Sequence, residues 1–511
     1  MPGVISCQTL GPIALSLDGG AAPPELLWRK HLALLIYLAR SPRGRSRDHL
    51  VGLLWPEKPE AAARHSLTAA ISLFRRYLGE TGVVASAGHV RLTPEAIRLD
   101  LEQFESRVAA GDSEGAAGMI GGDFMEGFFV PSAPRFDDWL ERERANVRKQ
   151  SIEVLTAHAD QLVRGGRAPE AVPVALRTLA LDPTSEPALR CAMKSLVLAG
   201  DRAGALAQYE GFCSRLSQEL NTAPGSDTQA LAFRIRHERS IRPAPSAKGK
   251  KEDGLLRLPL VGRESELSRM LEVAESARQG RHAAAIMIEG DSGTGKTRLL
   301  EELLARLRLE GVVVASVRAV EADHVEDGSG VLALARSGLV NAPGVAAAHA
   351  SALATFVRRA NEWQERFAAV HTEEPALSPG RALSEIVRAA TDEQAVALAV
   401  DDAQWLDPSS LLSLIATLRD LVAAPFLLIL AADRYPARTQ LDELRTRLGR
   451  DLHGASISLA ALDSAALGSL ARYTLPKFDS EEIERVVRRV ALDSAGLPLL
   501  AVELFQAVAH G

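Results

Sequence analysis

Apolar and polar positions follow three different rhythms along the chain. Residues 1–20 alternate loosely and end in Asp18-Gly19-Gly20, which predicts a small hairpin. The spacing then becomes helical. Leu27, Leu34, Leu35 and Leu38 share a face of a helix predicted over 26–39. Ser46 opens a second, shorter helix that turns Leu50, Leu53 and Leu54 inward. A third, predicted over 61–78, buries Leu67, Ile71, Phe74 and Leu78. Residues 83–92 are β-branched around Ala87-Gly88, the pattern of a two-stranded wing. Hairpin, three helices and wing are the outline of a winged helix.

Residues 98–240 read as helical throughout. Gly166-Arg-Ala-Pro-Glu-Ala171 is echoed by Gly200-Asp-Arg-Ala-Gly-Ala205, an offset of 34 residues. Val172, Leu176 and Leu179 stripe the helix after the first copy; Leu206, Tyr209 and Phe212 stripe the one after the second. That period is the tetratricopeptide period, although two copies fit a plain antiparallel helix bundle as well. Residues 241–257 lose periodicity and begin with a run rich in Pro, Gly and Lys, which reads as a linker. Short apolar runs then alternate with helices: 283–289, 311–317, 395–400 and 426–431 are candidate strands, and 296–307 and much of 328–394 are helical. This is the α/β pattern of a buried parallel sheet. The end of the chain returns to helices.

The expected fold class is therefore multidomain, α+β and α/β: a winged helix over 1–97, a TPR-like all-α domain over 98–240, the linker 241–257, an α/β domain over 258–458, where a G-x-x-x-x-G-K-T phosphate loop at 290–297 points to a P-loop ATPase, and a helical lid over 459–511. A length of 511 residues accommodates these blocks. With 47% hydrophobic and 24% charged residues the composition is globular, which excludes a disordered or fibrous chain. Cys7, Cys191 and Cys213 are too few and scattered for a disulfide framework or a Cys-based zinc site, so a reduced, cytoplasmic setting is expected. The longest obvious apolar run, 421–432, is too short to span a bilayer, and the N-terminal pattern does not suggest a secretory signal. Net charge is −6, but the first 100 residues hold 12 Lys or Arg against 8 Asp or Glu. A basic N-terminal block on an acidic chain is compatible with nucleic-acid binding.

The sharpest motif is Gly290-Asp-Ser-Gly-Thr-Gly295-Lys296-Thr297, which matches G-x-x-x-x-G-K-[ST] between a predicted strand and a helix. Gly290, Gly293 and Gly295 let backbone N–H groups curl around phosphates, and the helix N-terminus adds a favourable dipole. Lys296 is expected to reach β- and γ-phosphates, and Thr297 to bind Mg²⁺. The run Ala395-Val-Ala-Leu-Ala-Val400 delivers Asp401 and Asp402 at a strand end. Asp401 is placed to hold Mg²⁺ and Asp402 to orient or deprotonate the attacking water. Arg434, beyond 426–431, is a candidate γ-phosphate sensor or a surface arginine.

With these motifs in view, the chain resembles a family. Val261-Gly262-Arg263-Glu264, the phosphate loop, Val400-Asp401-Asp402-Ala-Gln404-Trp405 and Gly496-Leu497-Pro498 are similar to the STAND class of AAA-related ATPases. Residues 1–240 resemble AfsR/SARP-type bacterial transcriptional regulators, with an OmpR-type winged helix and a bacterial transcriptional activation domain. The signatures there are Arg29-Lys30, Leu50-Val-Gly-Leu-Leu54-Trp55, Phe74-Arg75-Arg76-Tyr77-Leu78-Gly79, Gly122-Asp-Phe124-Met-Glu-Gly127-Phe128 and Phe136-Asp-Asp-Trp139-Leu-Glu-Arg-Glu143. The resemblance implies an ATP-controlled regulator with a weak ATPase, ATP or ADP and Mg²⁺ as cofactors, and promoter DNA, further copies of itself and RNA polymerase as partners. It also implies that Arg263 contacts nucleotide and that Pro498 belongs to the helical domain that reads nucleotide state. Two features depart from the pattern. Many relatives continue into a C-terminal repeat array, whereas this sequence stops at Gly511, as a truncated chain or one without that sensor would. The wing reads Gly88-His89 where the family usually has Gly-Tyr.

Candidate DNA contacts follow from the third helix. With its apolar stripe inward, His65, Ser72 and Arg76 lie opposite, and Arg64, Thr68 and Arg75 flank them. Arg43, Arg45 and Arg47 in the preceding turn and Arg91 in the wing are placed for phosphates. The alternatives are a signalling scaffold whose winged helix makes protein contacts, and an enzyme whose turnover is itself the output. His31, His158, His324 and His371 have no metal-ligand spacing.

Overall fold

In the computed structural model, which describes residues 4–86, 88–237, 260–370 and 375–510, the N-terminal alternation forms three strands. These are β1 (Ile5–Gln8), β2 (Ala14–Leu17) and β3 (Gly20–Ala21). The short β4 (Arg45–Ser46), the wing strands β5 (Val83–Ser86) and β6 (His89–Leu92), and β7 (Ile97–Leu99) follow. One sheet runs β3-β2-β1-β7, with β7 parallel to β1 at Ile5↔Ile97; the other runs β4-β6-β5. Chain contacts divide the protein into two units, Met1–Asp160 with Pro173–Ala188, and Gln161–Val172 with Leu189–Gly511. Helices of 98–240 fall in both units, and the first unit runs through residues 97 and 98 without a break. The physical reason is local: β7 completes the first sheet, and Asp100 accepts the backbone N–H of Thr9 and Leu10 at 2.8 and 3.0 Å.

Along the chain, helices Arg29–Ala39, Arg47–Leu54 and Glu60–Gly82 lie between β3 and the wing strands. Ser46 caps the second by accepting the His49 N–H. The first starts later than its spacing predicts. Trp28 is extended, residues Pro24–Leu27 form a separate short turn, and Leu27 is 46% exposed instead of sharing the face of Leu34 and Leu38. The third helix buries Ala63, Leu67, Ala70, Ile71, Phe74 and Leu78, and it runs past the expected Leu78. Gly79, at φ 75°, bends it there. Helices Asp100–Ala109, Ser113–Met119 and Pro134–Arg164 extend the same core through Phe104 and Phe136.

In the echoed stretches, Gly166 and Gly200 take positive φ at equivalent places after helices Pro134–Arg164 and Glu186–Ala199. The helices that follow are Ala168–Leu181 and Arg202–Glu219. Their buried stripes run through Ala171, Ala175 and Leu179, and through Ala205, Phe212 and Leu216; Val172, Leu176, Leu206 and Tyr209 are only half-buried.

The second unit is built on five parallel strands: β8 (Ala284–Glu289), β9 (Val313–Arg318), β10 (Val396–Asp401), β11 (Phe426–Ala432) and β12 (Gly454–Ser458). Their order is β12-β8-β11-β10-β9. Apolar cores cover both faces, which is why the central strands read as continuous apolar runs. The edge strand β12 gives a weak sequence signal because only Ala455 and Ile457 turn inward. Helices Ser464–Thr474, Ser480–Ser494 and Pro498–His510 form a separate apolar core around Leu467, Leu470, Val487 and Phe505. The expected linker 241–257 and His371 lie outside the described residues. Among those described, no helix is long and apolar enough to cross a membrane, and no cluster of three or more His, Cys, Asp or Glu forms a metal site.

Candidate nucleotide site

β8 ends at Glu289, and the phosphate loop leads directly into helix Lys296–Leu309. Gly293 and Gly295 have φ of +82° and +97°, a region that side-chain-bearing residues rarely enter. The parallel register then sets strand ends beside the loop. Asp401 closes β10 opposite Arg318 of β9, and Ala432 closes β11 opposite Glu289. Phosphate loop, acidic pair and β11 tip therefore meet at the carboxyl edge of the sheet, where doubly wound folds bind ligands.

Lys296 is buried. Its Nζ donates to the carbonyls of Gly290 and Asp291 at 3.1 and 3.0 Å and pairs with Asp433. Thr297 Oγ1 donates to Asp401 Oδ2 at 2.8 Å. Burial raises Asp401 above the usual carboxylate range; the Thr297 hydrogen bond opposes this, and the charge of Asp402 adds to it. A buried carboxylate beside a second one is suited to a cation, which stabilises its charged form. Asp402 takes a left-handed φ of 53° and pairs with Arg318 Nε at 2.8 Å. Arg263 is buried, pairs with Glu266 at 3.2 Å and donates to the carbonyls of Thr294 (3.3 Å) and Ala460.

A cleft of about 560 Å³ opens over these groups. Its walls include Arg263, residues Ser292 to Arg298, Arg318, Asp402 and Asp433, with Pro498, Leu499 and Val502 on the helical side. Leu499 N–H donates to the Gly293 carbonyl at 3.3 Å, tying the last helix to the phosphate loop. The donor set is one ammonium, a hydroxyl–carboxylate pair, a second carboxylate and flanking arginines, and it fits a magnesium-bound nucleoside phosphate. Lys296, Thr297, Asp402, Arg263 and Pro498 are thus brought together, with Asp401 bonded to Thr297 behind them. Arg434 is not among them: it is exposed and donates to Ser458 Oγ at 3.0 Å, while its neighbour Asp433 meets the lysine. Asp433 and Arg318 escape a sequence reading, although Asp433 could have been found as the acid closing an apolar run; the buried Gln404 enters it only as a member of the Val400–Trp405 motif, without a role.

In the first unit, His65, Ser72 and Arg76 are exposed opposite the buried stripe of helix Glu60–Gly82. Arg43, Arg45 and Arg91 are exposed as well. Other candidates are engaged. Arg64 pairs with Asp48 and Glu60, each at 2.8 Å, and Arg75 with Glu80 at 3.2 Å. Arg47 lies 3.5 Å from Thr68, whose hydroxyl donates to the Arg64 carbonyl at 2.8 Å, and Arg45 donates to Ser41 at 3.1 Å.

The family model of the bacterial transcriptional activator domain matches residues 99–236, and that of the AAA ATPase domain matches residues 259–430. The chain thus combines a bacterial transcriptional activator domain with an AAA-type ATPase domain. Within that architecture it is 28% identical to the transcriptional regulatory protein EmbR of Mycobacterium tuberculosis (strain H37Rv) over 259 residues, 47% of this chain and 65% of EmbR. It is 26% identical to the regulatory protein AfsR of Streptomyces coelicolor over 331 residues, 60% of this chain and 33% of AfsR. The chain therefore spans less than two thirds of either relative. A solved structure of M. tuberculosis EmbR in complex with a low-affinity phosphopeptide aligns at a TM-score of 0.37 and 19% identity, over 54% of this chain and 72% of that one.

Proposed function

We propose that this protein is an ATP-controlled transcriptional regulator of the AfsR/SARP type that binds promoter DNA and assembles according to its nucleotide. The carrying observation is the convergence on one cleft of Lys296, the Thr297–Asp401 pair, Asp402 and the helical wall at Pro498–Leu499. Lys296 exchanges Asp433 for β- and γ-phosphate oxygens. Thr297 and Asp401 would hold Mg²⁺, which when bound would supply positive charge against the phosphates. Asp402 orients water for a slow hydrolysis that resets the switch. Arg263 fixes the nucleotide from the other side, and the contact from Leu499 to Gly293 lets the last helix respond to what the loop holds. A ligand shifts a two-state equilibrium only through differential affinity, so ATP and ADP must close this wall differently.

For DNA, Arg76 and Ser72 face the major groove, with Arg43, Arg45 and Arg91 on phosphates. The test is fluorescence anisotropy on promoter-derived and scrambled duplexes at two salt concentrations, with nucleotide fixed. Arg76→Ala should lose preference for one sequence, whereas Arg45→Ala should weaken both duplexes alike. A second reading is favoured by the ion pairs of Arg64 and Arg75, which neutralise two of the candidate contacts. On that reading the protein is an ATPase scaffold, and its winged helix docks proteins. Assembled, folded protein that ignores DNA at both salts would establish it.

A further inference from the structure

Gln404 is 1% exposed, and both ends of its side-chain amide are engaged. Its Oε1 accepts the backbone N–H of Asp433 at 2.9 Å, and its Nε2 lies 3.4 Å from Asp402 Oδ1. A backbone N–H can only donate, so the oxygen must face Asp433 and the NH₂ group must face Asp402. The residue is itself clamped: its carbonyl accepts from Arg438 Nε at 2.9 Å, and Arg438 also donates to the Leu406 carbonyl at 2.6 Å. The two groups it joins are both unusual. Asp402 is held at a left-handed φ of 53°, and Asp433 is the acid paired with Lys296.

We propose that Gln404 is a positioning residue of the nucleotide site. It fixes the Asp402 carboxylate to the tip of β11, so that the group orienting water and the group holding the phosphate-binding lysine keep one geometry. This rests on the hydrolytic reading given above. The coupling acts through Asp402, because the amide supplies a donor to that carboxylate without lining the cleft. Gln404→Glu is the sharpest probe. It retains an acceptor for the Asp433 N–H but replaces the donor with a second carboxylate beside Asp402. A donor returns only when the coupled pair takes up a proton.

The experiment is single-turnover hydrolysis of γ-labelled ATP by the full chain, with Kd for a non-hydrolysable analogue measured alongside. Gln404→Glu should hydrolyse about 10- to 100-fold more slowly at neutral pH, as expected for a misplaced reacting group. Its Kd should stay within a few-fold of wild type, and its rate should recover on acidification, moving the pH profile to the acid side. An amide needed only for folding would lower binding and rate together and leave the profile in place. Should Gln404→Glu not fold, Gln404→Met, which keeps the volume and removes both bonds, should slow hydrolysis with Kd retained; equal loss of both overturns the proposal. Wild-type rate and profile in Gln404→Glu also overturns it while leaving the hydrolytic reading intact. Wild-type protein that binds nucleotide and never hydrolyses it refutes the hydrolytic reading and the positioning role together.

Discussion

Asp407 is fully buried and accepts from Ser410 N at 2.8 Å, Gly328 N at 2.9 Å, Gly330 N at 3.1 Å and Ser409 Oγ at 2.8 Å. Burial raises its affinity for a proton, but these hydrogen bonds together outweigh burial and hold it down to about 2. Its folded value lies below the ordinary 3.8, so the stability it contributes is present above that value and is lost as pH falls toward 2. Asp407→Asn should cost about 2 kcal/mol at neutral pH. The difference from wild type in thermal melts should shrink as pH falls through that window. At this scale Lys296, Thr297 and Asp401 are legible in the sequence, because a contiguous motif and a strand-end acid carry them. Asp433 and Arg318 are not, since only the order β11-β10-β9 sets them beside the loop; Gln404 is legible as part of the Val400–Trp405 motif, but its bond to Asp433 is not.

Helix Lys296–Leu309 begins at the phosphate loop and carries a chain of ion pairs along one face. Arg298 pairs with Glu302 at 2.9 Å, Glu302 with Arg306 at 2.9 Å, and Arg306 donates to the carbonyls of Val163 and of Arg164 (3.4 Å). The side chains of Glu302 and Arg306 are 2% and 5% exposed, against 28% for Arg298. Taking away one partner of a buried pair strands the other, so Glu302→Leu should destabilise by about 3–5 kcal/mol. Arg298→Ala should cost less because that arginine keeps contact with solvent. Urea midpoints of the two variants check the order, and equal losses would contradict it. The amphipathic stripe makes this helix visible in the sequence, but the charge chain reads there only as ordinary i,i+4 pairs. Element ends are similarly uneven: the bend at Gly79 and the late start at Arg29 depend on local backbone geometry, which apolar spacing does not encode.

For the whole molecule, the order of blocks was open to reading because each has its own rhythm. The division into units was not, since β7 closes a sheet begun by β1. Regulation requires nucleotide to change what the chain associates with. Light scattering should give different masses with ADP and with a non-hydrolysable ATP analogue, and identical masses over a wide concentration range would point to turnover without switching. The central claim is that the cleft over Lys296 binds a magnesium nucleotide, and calorimetry with ATP and Mg²⁺ measures it directly. Wild type should bind one nucleotide per chain. Folded Lys296→Ala should bind about 10- to 100-fold more weakly, the loss expected for removing a charge-assisted contact to phosphate. Equal affinity in the two proteins, at equal thermal stability, would contradict the account.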